Sequence, residues 1–142
     1  MKANSEIEKL LPHRSPFLFV DELVEASDER IVARHVFAGS EFFFPGHFPG
    51  YPVVPGVILI ETMAQSGGAG LRRMGILGDG ALFFLATVDK VKFRRQVRPG
   101  DEARSEIVNL RVSPRMIKQA GKLYVGGEVA AEAEWMCLVS PN

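Results

Sequence analysis

Glu61 is the only charged residue between Gly56 and Ser66, set among Val57-Ile58-Leu59-Ile60 and Thr62-Met63-Ala64. Burying such a carboxylate without a partner is costly, and the apolar setting drives it toward its protonated form. A poised carboxyl in a dry cleft is what general acid catalysis uses. Gln65 follows one helical turn later, at i+4, where it can hydrogen-bond the carboxyl and fix its orientation. The plainer alternative is that Glu61 faces solvent or pairs with an arginine such as Arg72 or Arg73 across an interface. His47 is the second candidate. A histidine in a loop is usually a surface or structural residue. Here Gly46 on one side and Phe48-Pro49-Gly50 on the other lock the backbone that carries it, as holding one ring in place requires. Gly56, the first helical residue after Pro55, offers an orphan N–H, aided by the helix dipole, to a carbonyl oxygen gaining negative charge. A base, an acid and an oxyanion donor thus fall between positions 47 and 61. Together they suit proton abstraction beside a carbonyl coupled to departure of a protonated group, the logic of a β-hydroxyacyl dehydration.

The remaining histidines promise less. His13, in Leu11-Pro12-His13-Arg14, reads as a structural hydrogen-bonding residue, and His35 lies within a strand. Three scattered histidines without ligand spacing lead us to expect no metal site, and the chemistry calls for no cofactor.

These groups need a scaffold. Gly56 opens the only long helix, running to about Met74 and stopped by Gly75, a rod of roughly 28 Å. Its first half is apolar on nearly every face, so protein must surround it. Ahead of it, positions 42–56 hold four prolines and three glycines, too many for helix or strand, which predicts a stiff, specified loop. Strands are expected at Phe17–Glu25, Arg30–Phe37, Leu82–Phe93, Glu102–Val112, Arg115–Val125 and Glu128–Val139. In the last, Val129, Ala131, Ala133, Trp135, Cys137 and Val139 share one face. Gly126-Gly127 suits a two-residue hairpin turn and Pro99-Gly100-Asp101 a further turn. Ser5-Glu6-Ile7-Glu8 reads as a capping box opening a short helix that Pro12 ends. Gly67, Gly68 and Gly70 fit either close approach of a neighbouring element or chain or early fraying of the helix. One buried helix and about six strands predict an α+β fold, an antiparallel sheet curled around a central helix.

Length and composition agree. The chain has 142 residues, which fits a single domain over 1–142. Lys+Arg and Asp+Glu both number 17, which argues against a strongly basic nucleic-acid binder. No apolar run approaches the length of a membrane span, and the N-terminal residues lack the apolar core of a signal peptide. The single cysteine, Cys137, excludes an internal disulfide and fits a reducing compartment, so the expected location is cytoplasmic.

Four blocks, in order across nearly the whole chain, resemble one family. They are Leu11-Pro12-His13-Arg14-Ser15-Pro16-Phe17-Leu18-Phe19-Val20-Asp21; Phe43-Phe44-Pro45-Gly46-His47-Phe48-Pro49-Gly50 with Pro52-Val53-Val54-Pro55-Gly56-Val57; Glu61-Thr62-Met63-Ala64-Gln65; and Lys92-Phe93-Arg94-Arg95 through Val97-Arg98-Pro99-Gly100-Asp101. This set resembles the FabZ-type (3R)-3-hydroxyacyl-acyl-carrier-protein dehydratases, whose fold is the hot-dog fold. The resemblance implies that His47 takes the α-proton and that Glu61 of the partner subunit helps the hydroxyl leave. It also implies that the Gly56 N–H binds the thioester carbonyl, with Phe48 lining the acyl tunnel and Gln65 on the substrate side. Glutamate at 61, where the related FabA-type dehydratase-isomerases carry aspartate, favours plain dehydration in fatty-acid synthesis.

The implied partner is acyl carrier protein bearing a phosphopantetheine-linked substrate. The implied assembly is a homodimer, commonly three dimers to a hexamer. The basic stretch Lys90, Lys92, Arg94, Arg95 and Arg98 could receive an acidic carrier, with Arg94 and Arg95 as docking residues; a solvated strand edge is the plainer reading. Ser15, Ser40 and Gly126 depart from the family's usual tyrosine, asparagine and aspartate. The Gly39-Ser40 change bears on chain length more than on reaction type. Two competing readings are a hot-dog thioesterase, in which the helix carboxylate activates water, and a non-catalytic acyl-carrier-binding subunit.

Overall fold

The computed structural model describes residues 2–140. The elements are α1 (Lys2–Leu10), β1 (Glu22–Ala26), β2 (Ile31–Val36), a 3₁₀ turn (Phe44–Gly46), α2 (Gly56–Arg73), β3 (Phe83–Phe93), β4 (Glu102–Val112), β5 (Met116–Val125) and β6 (Glu128–Val139). The strands form one six-stranded sheet in the order β1-β2-β4-β5-β6-β3, with every neighbouring pair antiparallel. The expected α+β layering is therefore present, with α2 against the sheet. Among the described residues, no helix is long and apolar enough to cross a membrane.

The alternation read in β6 places Ala131, Ala133, Trp135 and Cys137 in the core. Gly126 and Gly127, with φ of +58° and +82°, make the hairpin turn that side chains disfavour. The glycines of α2 resolve in favour of close approach. A Cβ on Gly67 would collide with the Gln119 side chain of β5, and one on Gly68 with the Phe83 ring of β3. The helix runs unbroken past both to Arg73 and ends at Gly75, where φ is +77°. The small residues let a helix lie close enough to the sheet to exclude water from its polar side chains. Gln119 Nε2 donates to Asn109 Oδ1 at 2.8 Å, and Trp135 Nε1 donates to Gln119 Oε1 at 3.2 Å.

Three expectations need correction. The strand expected over Phe17–Glu25 begins only at Glu22, because the backbone of Phe17 and Phe19 bonds to the Gln65 side chain instead of to a neighbouring strand. The capping box at Ser5 is absent: α1 starts at Lys2, so Ser5 lies inside the helix, which is anchored by Ile7 and by Leu11 just beyond it. The Pro/Gly-rich loop contains one 3₁₀ turn, with Pro45 in its first turn, where the missing N–H costs nothing.

His35 of β2 is buried with only 6% exposure, between Asp21 and Glu41. Burial alone would lower its pKa, but the two carboxylates outweigh this and push it up to about 9. For Asp21, burial raises the pKa, and the hydrogen bonds and charge from His35, with the Val36 N–H, hold it below the ordinary range. A histidine whose pKa rises on folding contributes stability that is complete below its unfolded pKa of about 6.5 and lost as pH climbs through the folded value. Asp21 contributes stability present above its ordinary pKa and lost on acidification. Thermal melts should therefore peak between about pH 4 and 6.5 and fall toward pH 9. In His35→Gln the alkaline fall should flatten; an unchanged alkaline slope would refute the assignment.

Candidate active site

Loop backbone and side chain together fix His47. Its N–H donates to the Phe44 carbonyl at 3.3 Å, its carbonyl accepts from the Val53 N–H at 2.9 Å, and its ring stacks on Phe48 with centroids 4.1 Å apart. Nδ1 lies 3.0 Å from the Val53 carbonyl oxygen. A carbonyl can only accept, so Nδ1 must carry a proton, and Nε2 is the ring nitrogen left without a protein partner among the described residues.

Glu61 sits on α2, one and a half turns in from its tip. Its carboxyl is held by Gln65, whose Nε2 donates to Oε2 at 2.9 Å. Burial raises the Glu61 pKa, and the Gln65 bond offsets this only in part. His13 Nε2 lies 3.6 Å from the same oxygen, and its Nδ1 is buried without a hydrogen-bond partner. Burial and then the neighbouring Arg14 charge lower the His13 pKa, which favours a neutral ring beside a carboxyl inclined to keep its proton. On the far side stands Cys137, whose thiol is pushed up to about 12 by burial and by the charge of Glu61, and is thus inert. Arg72, one of the partners considered for Glu61, instead donates to the Ala81 carbonyl at 2.7 Å.

Gln65, expected on the substrate side, is fully buried, and its amide is consumed by protein. Oε1 accepts from the Phe19 N–H at 2.8 Å, and Nε2 donates to the Phe17 carbonyl at 3.0 Å as well as to Glu61. That leaves it orienting Glu61. His13 went unrecognised as a neighbour of Glu61. Its place in the Leu11-Pro12-His13-Arg14 block was the available signal, but the contact joins segments 48 positions apart.

At the tip of α2, the Ile58 and Leu59 N–H groups both reach the Pro55 carbonyl, at 2.9 and 3.3 Å, which leaves those of Gly56 and Val57 at the helix end. The tip of the Phe93 ring lies 2.7 Å from where a Cβ on Gly56 would stand, so a side chain there would push the ring aside. A cleft of about 390 Å³ opens at this tip, lined by Val53, Gly56, Leu59, Phe93, Arg94 and Arg95. Both arginines are paired within the chain, Arg94 with Glu132 at 2.6 Å and Arg95 with Glu128 at 3.0 Å. Among the described residues, no hydrogen bond or ion pair joins His47 to Glu61. Phe48 is half exposed beside the His47 ring.

A family model described as a FabA-like domain matches residues 11–134. The chain belongs to the FabA-like family. Among its relatives, the 3-hydroxyacyl-[acyl-carrier-protein] dehydratase FabZ of Desulforamulus reducens is 47% identical over 131 residues, covering 92% of each chain. The protein of the same name from Pelotomaculum thermopropionicum is 43% identical over 136 residues, 95% of this chain and 96% of its own. These relatives mark this FabA-like chain as FabZ-type, as its motifs suggested. Its fold is that of the dehydratase heterocomplex ApeI:P from Xenorhabdus doucetiae, with a TM-score of 0.82 at 21% identity over 96% of this chain and 91% of that one.

The Gln65 amide offers a test that needs no substrate. In Gln65→Met the Phe19 N–H is orphaned and Glu61 loses the bond that lowers its pKa. Stability should fall by about 1–3 kcal/mol. The Glu61 carboxyl, followed by carbon-detected NMR, should titrate higher than in the parent; an unmoved titration would show that Gln65 does not set it.

Proposed function

We propose that the chain dehydrates (3R)-3-hydroxyacyl groups carried on acyl carrier protein to trans-2-enoyl groups in fatty-acid synthesis. The observation that carries this reading is the orientation imposed on His47: with Nδ1–H committed to the Val53 carbonyl, Nε2 is the ring nitrogen left to serve as the base. Nε2 takes the α-proton of the bound thioester while the Gly56 N–H, at the positive end of α2, takes the charge that grows on the carbonyl oxygen. The β-carbon–oxygen bond then breaks as the Glu61 carboxyl gives its proton to the departing hydroxyl, which leaves as water. Proton exchange with solvent resets both groups. Burial of Glu61 supports the acid role, because it raises the carboxyl pKa and so favours the protonated form. A thioesterase would need the carboxylate to activate water and has no use for the imidazole.

In this reading the cleft at the α2 tip admits the phosphopantetheine arm, Phe48 lines the acyl path, and Arg94 and Arg95 at the rim receive the acidic carrier in the cytoplasm. No resident cofactor enters any step.

His47 and Glu61 meet across a subunit boundary. Support comes from β3, a sheet edge with nine of eleven residues exposed. Leu85 and Val88 stand opposite Cys137 and Trp135, on the sheet face that turns toward the core, yet they are 42% and 36% exposed. An apolar, unpaired edge of this kind invites pairing with a second copy. The expected assembly is a homodimer, with three dimers to a hexamer as its larger form.

His47→Ala and Glu61→Gln should each lose about 10²–10⁴-fold in kcat while melting like the parent, measured by enoyl formation from 3-hydroxyacyl-carrier substrates. Mixing the two inactive proteins under subunit exchange should recover up to about a quarter of parental activity if each site draws on both chains. A mixture as dead as its components would place the two groups in one chain or remove them from the chemistry. Leu85→Asp should shift the protein toward monomers in light scattering and abolish turnover with it. A fully active monomer would refute the shared site.

A further inference from the structure

Buried beneath the His47 loop is a charged cluster that the dehydration scheme does not use. His35 Nδ1 lies 2.8 Å from Asp21 Oδ1, and His35 Nε2 lies 2.7 Å from Glu41 Oε2. Ionised carboxylates only accept, so satisfying both contacts requires a proton on each ring nitrogen. The two acids grip opposite nitrogens of one ring, an arrangement that cannot converge on a metal ion, and no metal-binding group occurs among the described residues. Asp21 is fixed in turn: its Oδ2 accepts the Val36 N–H at 2.8 Å, and its own N–H donates to the Arg34 carbonyl at 2.8 Å. The Phe37 and Phe19 rings meet the imidazole edge-on at 4.6 and 5.9 Å. One jaw of the clamp therefore belongs to the sheet.

The other jaw belongs to the catalytic loop. Glu41 opens the turn that leads to His47: its carbonyl accepts the Phe44 N–H at 3.3 Å, and the Phe44 carbonyl accepts the His47 N–H at 3.3 Å. A continuous series of hydrogen bonds thus runs from the His35 ring through Glu41 and Phe44 to the backbone of the proposed base. Its ring is then set by Val53. We propose that His35 is a positioning residue for the His47 loop, holding Glu41, and through it the loop's first turn, against β2 by bridging Glu41 to Asp21. The proposal rests on His47 being the catalytic base, but the link from His35 to the loop can be read without catalysis.

Loss of the His35 proton would leave one buried carboxylate facing a ring lone pair. Glu41, held among the described side chains by His35 alone, is the acid free to swing outward, whereas Asp21 keeps the Val36 N–H. The other charges near the cluster are engaged elsewhere. Arg34, the adjacent β2 residue, pairs with Glu22 at 2.8 Å and Glu102 at 3.9 Å. On β4 the residue opposite His35 is Ala103, flanked by Glu102 and by Arg104, which pairs with Glu106 at 3.1 Å. Asp101, just ahead of β4, accepts the Arg98 N–H at 2.8 Å and lies 3.7 Å from Arg95. From α2 the only acid is Glu61, bonded to Gln65. His35 is therefore the group in this cluster whose titration would move the loop at mildly alkaline pH, near its value of about 9.

The test uses the full chain. Imidazole NMR of the parent should show the His47 ring resonances passing through a step centred near the His35 transition. The step should vanish in His35→Gln and move to higher pH in His35→Lys, which keeps a cation between the two acids. In steady-state assays with a 3-hydroxyacyl-pantetheine thioester, His35→Gln should lose roughly tenfold or more in kcat with little change in KM, and His35→Lys should restore most of it. Should His35→Gln fail to fold, Glu41→Gln, which keeps an acceptor for the ring, should show the same kcat loss in milder form. A folded His35→Gln with parental kcat and pH profile, or a His47 resonance blind to the His35 transition, would overturn the proposal. If instead His47→Ala stays active, the catalytic reading fails while the NMR step still decides whether His35 controls the loop.

Discussion

The structure depends on keeping polar groups satisfied inside a helix that the sheet encloses. Gln65 does most of this. Its one amide takes the backbone N–H of Phe19, supplies the carbonyl of Phe17 and holds the carboxyl of Glu61. Without it, an irregular segment lying against the core would carry unpaired backbone groups, each costing about 1–3 kcal/mol, and Glu61 would have no fixed orientation. Thr62 and Ser66 settle their hydroxyls more locally, donating to the carbonyls of Ile58 and Thr62, both at 2.7 Å. The carboxyl of Glu61 keeps a single side-chain hydrogen bond, from Gln65, and burial raises its pKa.

What the sequence made legible follows from the range of the interactions involved. β4 and β6 were bounded to the residue, because in β6 the alternation is nearly strict and in β4 a Pro-Gly-Asp turn marks the start. The helix ends were equally plain, since Pro55 and Gly75 act through their own backbone. Phe17–Asp21 was misread because its apolar composition suits a strand, while its hydrogen bonds go to a side chain 46 positions away. No local pattern encodes that. His47 and Glu61 were legible as anomalies: a histidine in a rigid loop and a charge in an apolar helix. His13 and His35 were not, because their meaning lies in what the fold brings beside them, Glu61 in one case and Asp21 with Glu41 in the other.

The basic stretch shows how charge read along a chain differs from charge in space. Lys90, Arg94 and Arg95 look like a patch, yet each finds an acid on the last strand: Glu134 at 3.4 Å, Glu132 at 2.6 Å and Glu128 at 3.0 Å. Exposed pairs of this kind contribute little to stability, so an incoming acidic partner could compete for the same cations at small cost. What remains at the cleft is a pair of restrained guanidinium groups at the rim, which in the proposed reading would orient a carrier more than attract one from a distance.

The two halves of the site are built without reference to each other. His47 is fixed by Phe44, Phe48 and Val53 within its own loop, and Glu61 by Gln65 on α2, with His13 alongside. No residue belongs to both sets of contacts. Each half can therefore be rigid by itself, and on the proposed shared site bringing them together would be rigid-body docking. The exposed inner face of β3 lies on the same side of the sheet as Cys137 and thus beside Glu61, where a second copy would pack. In the shared-site reading this explains why so small a domain needs no lid. On that reading, burial of β3 on assembly would complete the catalytic pair, and the chain would stay inactive until the apolar edge had been covered.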